Sequence, residues 1–126
     1  MTRSFPFDER LMIVPGDELG DEDRKLVILA RGALARSGSA SGAAVRDADG
    51  RTYAGARVDT ATLALTALQV AVATALSSGA TGFEAAVLIG GTTDDPGIDT
   101  LREISTDTNV FVTDTAGRLI AGEGSR

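Results

Sequence analysis

A chain of 126 residues with 43% hydrophobic and 24% charged residues has enough apolar content to build one proper core, so a soluble globular domain is the default. It contains neither cysteine nor histidine, which removes the thiolate and imidazole ligands of a catalytic zinc and the Ser–His and Cys–His nucleophile pairs. Its net charge of -6 opposes binding to a phosphate backbone, and Arg31 and Arg36 are too sparse to form a basic patch.

Residues 1–21 read as an N-terminal extension ahead of a domain over 22–126. Arg10 to Val14 suits a short strand ended by Pro15-Gly16, and no apolar run of the signal-peptide kind follows Met1. Asp21 is the expected N-cap of a helix over 22–36, in which Leu26, Leu29, Ala30, Ala33 and Leu34 recur at helical spacing. After the Ser37–Gly42 loop, strands over 43–47 and 52–58 flank Asp49-Gly50, a hairpin turn signal. A second helix is expected over 62–78, ending at Ser78-Gly79. Phe83 to Ile89 reads as a buried strand, then a loop, a short helix over 97–105, a strand Asn109 to Thr113, a turn, and a last strand Arg118 to Ala121 before a loose tail. No charge occurs between Asp59 and Glu84, but the threonines, serines, glycines and alanines there favour a buried helix over a membrane span. The early hairpin and the later strand–helix alternation together imply a mixed sheet with helices packed on it.

Several motifs have plain readings. Gly90-Gly91-Thr92-Thr93 follows a strand but lacks the Walker spacing and its lysine, and Asp94 and Asp95 put negative charge where a phosphate would sit. Asp47-Ala48-Asp49-Gly50 has its glycine at the wrong place for a calcium loop. Asp94, Asp95 and Asp99 suit a capped helix start better than a magnesium site.

Gly42-Ala43-Ala44-Val45, Asp49-Gly50-Arg51, Tyr53-Ala54-Gly55, Val58-Asp59 and Ala61-Thr62 follow one another into an Ala/Leu helix. This series resembles the cytidine deaminase family, whose pattern is a G-A-A strand, a D-G-R hairpin, a Y-x-G strand and an N-V-E-N-A-S segment. The resemblance implies an α/β, cytidine deaminase-like three-layer fold with a mixed sheet of about five strands between helices. It also implies a zinc-activated water, with a Glu as proton shuttle. Aligned on the family, Leu68 stands at the first zinc ligand and Val70 at the shuttle Glu, and Ile98 and Leu101 stand at the two cysteines of P-C-x-x-C. Three aliphatic groups in place of the ligands should pack as a dry plug. The family's ribose-holding Asn and Glu fall on Arg57 and Asp59, and its base-stacking Phe falls on Ser39. Arg57 and Asp59 are read first as an ordinary surface ion pair, and otherwise as anchors of a vestigial pocket.

The resemblance therefore implies a degenerate member, a pseudoenzyme without metal or other cofactor, acting as an interaction or scaffold protein. Two alternatives stay open: a nucleoside- or nucleotide-binding module, and a metal-independent enzyme using Asp59, Tyr53 or Glu103. The family implies a cytoplasmic homo-oligomer, dimer or tetramer, and the Ala-rich face Ala64, Ala67, Ala71 and Ala75 suits close subunit approach. For degenerate members in high-GC bacteria it implies a protein partner in ribosome assembly, alongside an Era-type GTPase.

Overall fold

The computed structural model describes residues 20–116 and 118–123. The expected strand at 10–14 and the extension to residue 19 lie outside them. Helix α1 (Asp21–Ser37) is followed by strands β1 (Gly42–Asp47), β2 (Thr52–Ala56), β3 (Val58–Asp59) and β4 (Ala64–Leu65). Helix α2 (Ala67–Ser77), strand β5 (Phe83–Ile89), helix α3 (Pro96–Ile104) and strands β6 (Asn109–Thr113) and β7 (Leu119–Glu123) complete the order.

Five strands form one mixed sheet in the order β2-β1-β5-β6-β7, and β3 and β4 form a small sheet of their own. β1 pairs antiparallel with β2 and with β5. β5 and β6 run parallel, as a connection through α3 requires, and β7 returns antiparallel on β6. Because side chains alternate across a strand, the sheet separates two apolar clusters. On one face Ala44, Ala85, Val87, Ile89 and Phe111 meet Leu26, Val27 and Ala30 of α1. On the other, Ala43, Val45, Leu88 and Val110 meet residues of α2 and α3. Two helix layers thus enclose the sheet.

Each helix starts and stops for a local reason. The first turn of α1 holds Asp21, Glu22 and Asp23, which suits the helix dipole. Its cap is extended Gly20 rather than the expected Asp21, which is already helical and pairs with Arg24. Gly38 closes α1 in the left-handed conformation (φ 65) and donates its N–H to Leu34 O. Helix α2 begins at 67, not 62: Thr60 N–H bonds Leu63 O at 2.8 Å and Thr60 Oγ1 accepts Leu63 N–H at 2.9 Å, a turn that joins β3 to β4. Thr66 then caps the helix in a capping box with Gln69. For the same reason the expected strand over 52–58 divides at Arg57, with Val58-Asp59 passing to the small sheet. The last strand reaches Glu123, two residues beyond its expected end.

The alanine face of α2 turns inward. Ala67, Ala71 and Ala75 are fully buried against the protein's own sheet, and Ala64 belongs to β4 and not to the helix. That face therefore serves the core and not a subunit contact. Its closeness to the sheet is what Gly55 permits: a Cβ there would lie 2.7 Å from Ala71 N and 2.8 Å from Val70 Cγ1. Among the described residues no helix is long and apolar enough to cross a membrane.

Candidate functional site

The N-termini of α2 and α3 meet on one side of the sheet, and a single hydrogen bond joins their caps. Thr66 Oγ1 donates to Asp95 Oδ1 at 2.8 Å. Thr66 Oγ1 also accepts Gln69 N–H at 3.0 Å, and Gln69 Oε1 accepts Thr66 N–H at 3.0 Å. Asp95 Oδ1 in turn accepts Gly97 N–H at 2.8 Å, with Pro96 pre-set for the first helical position. The Gly-rich loop thus ends in an Asp-capped helix start, and Asp94 accepts the hydroxyl of Thr92.

Beneath this clasp lies Leu68, fully buried on α2. A Cβ at Gly97 would fall 2.7 Å from Leu68 Cγ, so the α3 backbone sits directly on the leucine side chain. Ile98 and Leu101 are buried in the same cluster. Burying each such side chain contributes about 1.5–3 kcal/mol. Val70 is only half-buried and lies against Gly55.

Outside the plug a cleft of about 300 Å³ remains open. Its lining includes Arg57 and Val58, Thr66, Gln69 and Asp95, and Ser41 with Gly90-Gly91. Arg57 and Asp59 do pair, at 3.3 Å, with both side chains more than half exposed. Such pairs contribute little. Arg57 lines the cleft and Asp59 does not. Ser39 stays outside as well: its hydroxyl donates to Ser41 O and accepts Ser41 N–H, which leaves Ser41 as the cleft residue of that loop. Tyr53 and Glu103 are also absent from the lining. Ser41, Gln69 and Asp95 went unremarked in the sequence as cleft residues. Only the loop position of Ser41 and the Thr66-x-x-Gln69 capping pattern hinted at them.

A second polar centre lies at the hairpin. The Asp47 carboxylate accepts Asp49 N–H and Arg51 N–H at 2.9 Å each, and Tyr53 donates its hydroxyl to Oδ2 at 2.9 Å. Burial works to raise the Asp47 pKa, but these bonds outweigh it and hold the carboxyl below its ordinary value. Burial and the bond to Asp47 push Tyr53 above its ordinary value. The centre closes the turn, so the calcium-loop pattern is a hairpin.

On the opposite face Arg46 Nε lies 2.8 Å from Glu84 Oε1 and Nη1 lies 3.0 Å from Asp23 Oδ1. Burial opposes the Arg46 charge, and its contacts with Glu84 and Asp23 more than offset that, so its pKa rises.

A sequence profile described as cytidine deaminase-like matches residues 19–117. The chain belongs to the cytidine deaminase-like family. Its fold is similar to that of cytidine deaminase from Burkholderia pseudomallei, at a TM-score of 0.68 and 23% identity over 79% of this chain and 90% of that one. The cytidine deaminase of Mycobacterium leprae is similar at a TM-score of 0.63 and 19% identity, over 84% of this chain and 94% of the other. That of Mycobacterium tuberculosis follows at 0.61 and 21%, over 73% and 85%. At these identities the likeness is one of fold. No curated protein sequence matches the chain.

The deaminase-like chain does not offer the zinc centre its family implies. Zinc needs thiolate, imidazole or carboxylate donors converging at about 2 Å. Leu68, Ile98 and Leu101 offer hydrocarbon, and the backbone of Gly97 fills the space against Leu68. The nearest carboxylate of the clasp, Asp95, already has Oδ1 engaged by two donors. No step through a metal follows from these residues.

Proposed function

We propose that this chain is a catalytically silent member of the cytidine deaminase-like family, a pseudoenzyme that acts by binding and not by turnover. The observation that supports this reading is the leucine plug: Leu68 is fully buried against Gly97 beneath the Thr66–Asp95 bond, where deamination would need a metal-bound water. An interaction or scaffold role follows, in a cytoplasmic homo-oligomer of two or four subunits with a protein partner, for which ribosome assembly is the first place to look. The test is metal analysis of untagged protein together with ammonia release from cytidine and deoxycytidine. Zinc well below stoichiometric and no release above the buffer control are expected. Stoichiometric zinc, or turnover lost on Leu68→Ala, would refute the proposal.

A second reading is favoured by the cleft itself. An open cleft of about 300 Å³ with a guanidinium, a carboxylate and a hydroxyl in its lining suits a small-molecule binding module, of which a nucleoside or nucleotide is one candidate ligand.

A further inference from the structure

Three polar groups of the cleft have bonding capacity left over. Ser41 is only 9% exposed, and its hydroxyl has no hydrogen-bond partner among the described residues, although its backbone is tied to Ser39 on both sides. Asp95 is 6% exposed, with both bonds on Oδ1 and none on Oδ2 among the described residues. Gln69 spends Oε1 on Thr66 N–H, and its amide N–H₂ has no partner among the described residues. Also in the lining, Arg57 is held among the described residues only by its loose contact with Asp59, which a better-placed carboxylate would displace.

The charges decide the class of ligand. Arg57 and Asp95 put one positive and one negative group into the lining, a formal balance of zero, and Asp94 stands just behind Thr92. A phosphate would bring two further negative charges to a site with one exposed arginine. A ligand with one charge of each sign answers both charges of the lining at once. On the reading of the cleft as a ligand site, we propose that it takes a small zwitterion of the α-amino acid class. The carboxylate sits on the Arg57 guanidinium, whose fork suits two parallel bonds. The ammonium donates to Asp95 Oδ2 and Ser41 Oγ, and the Gln69 amide is left to donate to the ligand's side chain or carboxylate.

The test uses the full chain in thermal-shift and calorimetric titrations against the common L-α-amino acids. Each is paired with its N-acetyl and carboxamide forms, and cytidine, uridine and CMP run alongside. A ligand that binds only the folded state must raise the melting temperature saturably. At least one free amino acid is expected to do so. N-acetylation, which removes the cation, and amidation, which removes the anion, should each abolish the shift. Arg57→Gln, an exposed change that leaves the core alone, should weaken binding about 10- to 100-fold, the loss of a charge-assisted contact. Binding indifferent to acetylation, amidation or Arg57→Gln would overturn the proposal. Binding of cytidine or CMP without any amino acid would overturn the zwitterion and keep the ligand cleft. Silence from all probes at millimolar concentration would overturn both.

Discussion

Replacing Gly97 by alanine drives a methyl group into Leu68. The new Cβ would stand 2.7 Å from Leu68 Cγ and 3.0 Å from both Leu68 Cβ and Asp95 Oδ1, closer than carbon and oxygen atoms normally approach. Alanine gains up to about 1 kcal/mol over glycine in helix propensity, but overpacking a tight core costs about 1–3 kcal/mol. A net loss of about 1–2 kcal/mol is expected. Leu68→Ala, at a side chain with no exposed surface, should cost about 2–5 kcal/mol as transfer and cavity terms together. In the double variant the Leu68 Cγ and its methyls are gone, and the methyl introduced at position 97 occupies part of the vacated space. The double loss should therefore fall short of the sum by about 1–2 kcal/mol. Urea unfolding followed by far-ultraviolet circular dichroism measures all three, since the chain has no tryptophan for fluorescence. Leu68→Val supplies a milder second cycle should the double variant fall near the unfolding threshold. Additivity within about 0.5 kcal/mol would mean that Leu68 is not seated on Gly97 and would refute the plug.

Three further outcomes follow from the polar centres. Asp47 titrates below its ordinary value in the folded state, so its contribution to stability is complete above the unfolded pKa near 3.8 and is lost as pH falls through the lower folded value. Asp47→Asn should flatten the acid limb of a stability–pH profile, and an unchanged limb would contradict the assignment. Tyr53 is raised, so its contribution is complete below about pH 10 and is lost as pH rises through the folded value. Tyr53→Phe should flatten the alkaline limb in the same profile. Thr66→Val removes the cap of α2 and the donor to Asp95 together, and should lower unfolding free energy by about 1–2 kcal/mol, measured by urea titration.

The layered fold was legible because each element carried its own local signal. Phe83–Ile89 and Asn109–Thr113 are short apolar runs bounded by turn residues, and both strands lie where those boundaries put them. The start of α2 was not legible by periodicity, because Ala61, Leu63 and Ala64 continue the apolar pattern of the helix backwards. Only the Thr60–Leu63 turn, a pair of hydrogen bonds closed in three dimensions, interrupts it. Direction was equally hidden for the alanines of α2. Small residues suit a close contact, but composition does not say whether the contact is with a sheet or with another subunit. At the cleft, Arg57 and Asp59 stand two residues apart in the chain, so an ion pair between them was a local matter. Ser41, Gln69 and Asp95 come from three separate elements, and only the folded chain brings them to one cavity.

The sheet works as a partition. Odd and even positions of β1, and of β5 from Ala85 onward, feed different clusters, so Ala43 and Ala44, neighbours in the chain, answer to different helices. Free-energy effects on the α1 side should therefore add to those on the α2/α3 side with little cross-talk, since the two share backbone and few side-chain neighbours. The α2/α3 face can be rewritten, for instance by grafting donors at 68, 98 and 101, while the α1 face stays constant as an internal standard. A fold built on such a divider can change its side chains on one side and keep its architecture on the other.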